Sequence, residues 1–160
     1  MLAHSPYGES DRVNGFELRI AIDPALEEEL VDRLVEYNKS RSAVVRERFE
    51  PANLKSEPVH VFALGPDGML GGCAGRVERV WHWLTVDTMW VDPSVRGEGI
   101  GTALLGSIEV EGRRRGCRWA DVTTFDFQAP DFYRRCGYEQ YGVKHDYPPG
   151  HANYFFRKDL

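Results

Sequence analysis

The segment from Trp90 to Gly106, WVDPSVRGEGIGTALLG, constrains this chain more than any other. An apolar strand-like run ends at Asp92-Pro93, glycines occupy alternate positions 97, 99 and 101, and the helix formers Ala103, Leu104 and Leu105 follow at once. Glycines so close together allow backbone conformations that side-chain-bearing residues avoid, and they let the main chain approach a ligand closely. A helix that starts there leaves its first N–H groups unpaired and points the positive end of its dipole at the same place. Such a place attracts an anion, most often a phosphate. The dinucleotide pattern G-x-G-x-x-G fails, because its last position falls on Thr102 counted from Gly97 and on Leu104 counted from Gly99. No Gly-Lys-Ser/Thr follows, so the P-loop pattern fails as well. What remains is R-x-x-G-x-G, as Arg96, Gly99 and Gly101, whose plain alternative is a glycine-rich strand-to-helix turn with no ligand.

The chain can build a core around this turn. Its 160 residues are 42% hydrophobic, enough for one domain without staples. We expect a loose tail over residues 1–15 and a single domain over 16–160. The net charge of −5 is spread along the chain, and the runs Glu27–Glu29 and Arg113–Arg115 read as solvated helix faces. This argues against a nucleic-acid or membrane surface and mildly favours a cationic or amine-bearing substrate. Cys73, Cys117 and Cys136 are odd in number and have no C-x-x-C spacing, so neither a disulfide framework nor a metal site is expected. The opening MLAHSPYGESDR has neither a basic start nor an apolar centre, and no apolar run has spanning length. These features imply a soluble, cytoplasmic protein.

Hydrophobic periodicity supplies the element order. Phe16, Leu18, Ile20 and Ile22 alternate as in a half-buried strand. Asp23-Pro24 reads as a helix N-cap followed by proline at the first helical position. Leu26, Leu30, Leu34 and Tyr37 continue that helix, and a second short one is predicted around Ser42–Phe49. PVHVFAL and MLGGCAGRVERV flank the turn GPDG as a hairpin, with WHWLTVDTMWV as the third strand of a meander. The helix after Gly99 runs to Arg115 and stops at Gly116. CRWADVTTF reads as a strand and APDFYRRCGY as a short helix closed by Gly137. A strand over Tyr138–Tyr141 and a last strand in NYFFRKDL complete the order β-α-α-β-β-β-α-β-α-β-β. Meander pairing first and β-α-β connections later imply an α+β (mixed α/β) fold with a mixed sheet covered by helices.

Two segments carry a family resemblance. MWVDPSVRGEGIGTALL resembles the acyl-CoA-binding segment of the GNAT superfamily of N-acetyltransferases, V-x-P-x-x-R-G-x-G-I-G. APDFYRRCGYE, about thirty residues on, resembles that superfamily's A-x-x-[LF]-Y-x-x-x-G-[FY] segment. The order and separation of the two match, and the element order from Phe16 onward is similar too. The resemblance implies a central, mostly antiparallel mixed sheet of six to seven strands flanked by about four helices, with acetyl-CoA as acyl donor. It assigns the pyrophosphate of coenzyme A to the N–H groups of Gly97, Gly99, Ile100, Gly101 and Thr102, with Arg96 beside them. Val91 would bond the pantetheine arm, and an N–H between Met89, Trp90 and Val91 would polarise the thioester carbonyl. That strand would have to part from ADVTTF to admit the arm. Tyr133 matches the superfamily tyrosine that gives a proton or a hydrogen bond to the departing sulfur.

The remaining roles are more open. Period two places Asp87 on the face of Met89 and Val91, and it is our candidate base, with Glu78, His82 and Asp126 as rivals. Asp126 stands where the superfamily often has a cofactor-contacting asparagine, so it is read as a cofactor contact, or as a ligand for a substrate cation. Trp81, Trp83 and Tyr154, within an aromatic set that includes Trp90, His145 and His151, are candidates for the acceptor pocket, although such residues more often fill a core or cover a sheet face. The expected activity is direct transfer of acetyl to a primary amine of a small molecule in a ternary complex. The alternatives are a protein or peptide acceptor, and a non-catalytic acyl-CoA sensor indifferent to Tyr133→Phe. A homodimer would be in keeping with the superfamily, but no residue here marks its surface.

Overall fold

The computed structural model describes residues 11–13 and 16–160. Most of the expected tail over 1–15 lies outside the described residues. The chain forms two compact units, Met1–Arg46 and Glu47–Leu160.

In the first unit, β1 (Asp11–Val13) pairs antiparallel with β2 (Phe16–Leu18). The strand expected over Phe16–Ile22 therefore ends at Leu18, and it belongs to a two-stranded sheet separate from the main one. Helix α1 (Pro24–Arg41) begins where the sequence places it, with the Asp23 side chain accepting from Leu26 N at 3.2 Å and proline in the first turn. A short helix α2 (Ala43–Arg48) follows.

The second unit is built on a six-stranded sheet of β3 (Glu57–Gly65), β4 (Gly68–Glu78), β5 (Trp83–Val91), β6 (Trp119–Phe125), β7 (Glu139–His145) and β8 (Ala152–Asp159), in the order β3-β4-β5-β6-β8-β7. β3, β4 and β5 form the expected antiparallel meander, and Gly65 pairs with Gly68 across a two-residue turn. β5 and β6 are parallel, so a crossover must join them. That crossover is α3 (Ile100–Arg114), which packs on β3, β4 and β5. α4 (Pro130–Arg135) precedes β7. Leu104, Leu105 and Ile108 of α3 bury against Cys73, Val77, Leu84, Val86, Val122 and Phe156 of the sheet, and Tyr133 and Tyr138 close the core beside α4. The mixed sheet and four helices are those the sequence implied.

Two irregularities shape the centre of the sheet. The β5–β6 pairing runs from Trp83↔Trp119 to Val86↔Val122 and then ends, although both strands continue. The β4–β5 register also slips, with Ala74 opposite Thr88 and Gly75 opposite Val86, so Asp87 is the extra residue of a bulge. A Cβ on Gly75 would lie 2.3 Å from the Thr85 carbonyl oxygen. Glycine is what lets β4 close on the bulged strand.

Candidate active site

Past Val86 and Val122 the two central strands diverge, and a cleft of about 1280 Å³ opens between them. Its walls come from both faces of the sheet. Leu105, Phe132 and Tyr133 line it from the side of α3 and α4, while Asp87, Thr123, Phe125 and Phe127 line it elsewhere along β5, β6 and the turn that follows. β5 keeps β4 as a partner on one edge, and among the described residues no strand pairs with its other edge from Asp87 to Val91, which is open to an extended ligand.

At one end of this slot lies the glycine turn. Asp92 caps a single 3-10 turn over Pro93–Val95 by accepting from Ser94 N at 2.8 Å and Ser94 Oγ at 2.6 Å. These two hydrogen bonds hold its carboxyl below the ordinary carboxylate range. Gly97 and Gly99 both have φ of +86°, a left-handed conformation that favours glycine. Gly99 caps α3 without a side chain, and Ala103 N is the first amide to reach back, to the Gly99 carbonyl at 3.0 Å. Ile100, Gly101 and Thr102 thus present amides that helix geometry leaves unpaired. Arg96 Nε donates to the Val91 carbonyl at 3.0 Å, which folds the guanidinium back over the turn. Among the described residues, nothing beyond the adjoining chain lies within 4 Å of where a Cβ would stand on Gly97 or Gly99. The turn is an open, cationic, amide-lined cradle, and a pyrophosphate is the kind of group it fits.

Tyr133 stands at the inner part of the slot. It is only 6% exposed, packed edge-on against Phe132 and Tyr138, with its hydroxyl 3.9 Å from the Met89 sulfur. Burial, and then the neighbouring thiols of Cys73 and Cys136, push its phenol up to about 12. It therefore keeps its proton at any ordinary working pH.

Of the residues singled out from sequence, Asp87, Met89, Trp90, Val91, Arg96, Gly97, Gly99, Ile100, Gly101, Thr102 and Tyr133 all line this one slot. Asp87 does so in a different orientation from the one expected. Leu84 and Val86 before the bulge, and Met89 and Val91 after it, all pack towards the core, so strict alternation breaks at Asp87. Its carboxylate instead ion-pairs with Arg76. Among the rivals, Glu78 pairs with Arg48 at 3.0 Å, and His82 bonds the Gly116 carbonyl through Nδ1 at 2.9 Å, both at the far end of the meander. Asp126 sits in the turn after β6, where it accepts from Phe127 N at 2.8 Å and lies 3.1 Å from His151 Nδ1. Trp81 and Trp83 lie away from the slot, Trp81 beneath the Arg48 guanidinium and Trp83 against Trp119. Tyr154 packs against the core and under Arg134.

Phe125 and Phe127 were not singled out from sequence, yet both line the slot. Their signal was present in TTFDFQAP, two aromatics flanking an acid in a short strand-to-helix turn, where a loop aromatic has no periodicity to assign it to a core. Glu109 and Lys158 were also missed. They form an ion pair of 2.8 Å in the slot wall, joining α3 to β8.

A mixed sheet splayed between two parallel central strands, with an amide cradle at the start of the crossover helix, defines a class. The chain belongs to the GNAT family of acetyltransferases, whose acetyltransferase (GNAT) domain matches residues 56–140. It is similar to the blasticidin-S acetyltransferase of Streptomyces morookaense, 39% identical over 133 residues that cover 80% of this chain and 96% of that protein. It is also similar to the streptothricin acetyltransferase of Streptomyces lavendulae, 36% identical over 84 residues, 51% of this chain and 44% of that protein. Among solved structures, an acetyltransferase from Bacillus cereus shares the fold with a TM-score of 0.68 and 34% identity, over 89% of this chain and 98% of that one.

Proposed function

We propose that the slot takes acetyl-CoA and passes its acetyl group to a primary amine of a small molecule, by direct attack while both are bound. The observation that carries this reading is the end of β5–β6 pairing at Val86/Val122, beside the open glycine cradle and the buried Tyr133. An antibiotic is the favoured acceptor, because the two Streptomyces relatives are acetyltransferases of blasticidin S and streptothricin.

Acetyl-CoA supplies an activated thioester. The chain's own residues do the rest. Amides of Gly97, Gly99, Ile100, Gly101 and Thr102, with Arg96, hold the pyrophosphate, and the free edge of Met89, Trp90 and Val91 aligns the arm as an extra strand. An N–H on that edge polarises the carbonyl that is attacked. Asp87, at the bulge where the slot begins, accepts the amine's proton directly or through water. Tyr133 donates a hydrogen bond to the departing sulfur. Full transfer from a phenol at about 12 to a thiolate of ordinary basicity, about 8.5, is uphill by roughly 5 kcal/mol. The hydrogen bond is therefore the main contribution of Tyr133, and the proton that settles on sulfur comes ultimately from the amine.

The test is thiol release from acetyl-CoA in the presence of blasticidin S and a panel of primary amines. The reading requires acceptor-dependent release that falls in Tyr133→Phe with unchanged acetyl-CoA affinity. Binding with no turnover for any amine, and no effect of Tyr133→Phe, would mark a sensor instead.

A further inference from the structure

The slot has a second feature that holding the donor does not use. Phe125, the last residue of β6, stacks on Phe127 with ring centroids 5.2 Å apart and planes within 12°. Phe127 lines the slot and yet is 58% exposed. The turn that presents it is rigidly pinned. Gln128 Oε1 accepts from Phe125 N at 2.9 Å and from Thr124 Oγ1 at 3.2 Å, and Asp126 Oδ1 accepts from Phe127 N at 2.8 Å. His151 meets Phe127 edge-on with centroids 4.8 Å apart, and its Nδ1 lies 3.1 Å from the Asp126 carboxylate. A large, half-exposed aromatic held at the cleft by a turn with three hydrogen bonds is preorganised for contact with a bound molecule.

The neighbouring groups indicate what it would contact. Phe125 also has Tyr147 beside it, with centroids 6.3 Å apart, and the Tyr147 ring already carries the Lys144 ammonium 3.7 Å from its centroid. Ring faces in this cluster thus hold a cation, as aromatic quadrupoles do. Phe127 is the exposed ring next to the strand divergence, and Asp87 lines the same slot. Phe125 and Thr123 alternate along β6 with the core-facing Val122 and Thr124. The aromatic pair therefore stands on the face away from α3, whereas the glycine cradle opens at the start of α3.

We propose that Phe127, backed by Phe125, is the specificity-determining residue for the acceptor and stacks on a planar group, heteroaromatic or guanidinium-like, carried by the amine. This rests on the acetyl-transfer reading above. Aromatic contacts exceed the worth of their buried area by up to about tenfold in affinity.

The experiment compares wild type with Phe127→Leu, which keeps apolar volume and removes the ring face. Acetyl-CoA affinity is measured by calorimetry. Acetylation is measured on benzylamine and cyclohexylmethylamine, which have the same ring size but differ in planarity. We expect wild type to favour benzylamine by about tenfold in kcat/KM. In Phe127→Leu that ratio should fall to near one while acetyl-CoA affinity stays within twofold. An unchanged ratio, turnover of neither amine by an enzyme that binds acetyl-CoA, or weakened acetyl-CoA binding in Phe127→Leu would each overturn the assignment, the last by giving the ring to the donor. Absence of acetyl-CoA binding in wild type would instead be a failure of the transfer reading.

Discussion

Lys158→Met is expected to cost this protein more than any surface ion pair would. Glu109 is 4% exposed in the middle of α3, and among the described residues its nearest cation is Lys158 Nζ at 2.8 Å from Oε2. Arg113 approaches no nearer than 3.8 Å and from an exposed position. Oε1 and the Tyr138 hydroxyl that faces Glu109 are both fully buried. Burial first, then the Glu109 charge and a side-chain hydrogen bond to Glu109, drive the Tyr138 phenol far upward, so it stays a neutral group and cannot replace the missing cation. Removing the lysine therefore leaves a desolvated carboxylate, for which a penalty of about 3–5 kcal/mol is expected. For a chain of this size that is a fall in Tm of roughly 6–20 °C. Urea unfolding followed by tryptophan fluorescence measures it. The double variant Glu109→Leu/Lys158→Met replaces the pair with apolar volume and should recover most of the loss, because burying a pair is close to neutral overall. A single variant costing under about 1 kcal/mol, or a double variant as unstable as the single, would refute the reasoning.

Other perturbations probe the slot and its frame. Gly75→Ala places a Cβ 2.3 Å from the Thr85 carbonyl oxygen; it should cost about 1–3 kcal/mol and lower activity by disturbing the bulge at Asp87, both read from denaturation and thiol release. Tyr133→Phe should lower kcat by roughly 10- to 1000-fold, less than full acid catalysis would imply, with little change in KM for acetyl-CoA. Burial holds the Cys73 thiol and the Tyr133 phenol both at about 12, above their unfolded values. The unfolded chain therefore loses these protons first as pH rises, so their contribution to stability is complete below about pH 9 and declines between there and pH 12. Cys73→Val should flatten that alkaline decline, as seen in Tm against pH.

The parts of the molecule fixed by local chemistry could be read from the sequence. Asp23-Pro24, the Gly65–Gly68 turn, the Gly99 cap and the Gly116 stop each specify a backbone conformation through their own residues, and their elements start or end there. The glycine cradle was legible for the same reason, whereas Tyr133 stood out only through its match to the superfamily segment. What depended on pairing between distant strands was not. Alternation alone puts Asp87 on the face of Met89, but the β4–β5 slip opposite Gly75 breaks the alternation at that residue. Ile20 and Ile22 continue the period of Phe16 and Leu18, yet the strand stops at Leu18. Trp81 and Trp83 look like pocket residues by type, and their actual neighbours, Arg48 and Trp119, come from remote segments. Phe127 was overlooked because an aromatic in a turn has no periodic signature.

Calorimetric titration of the purified protein with acetyl-CoA, and separately with NAD and ATP, tests the central claim most directly. Saturable binding of acetyl-CoA alone, abolished in Gly99→Val because a β-branched residue resists the φ of +86° that shapes the cradle, is the expected result. No heat with acetyl-CoA, or undiminished binding by a folded Gly99→Val protein, would contradict the account.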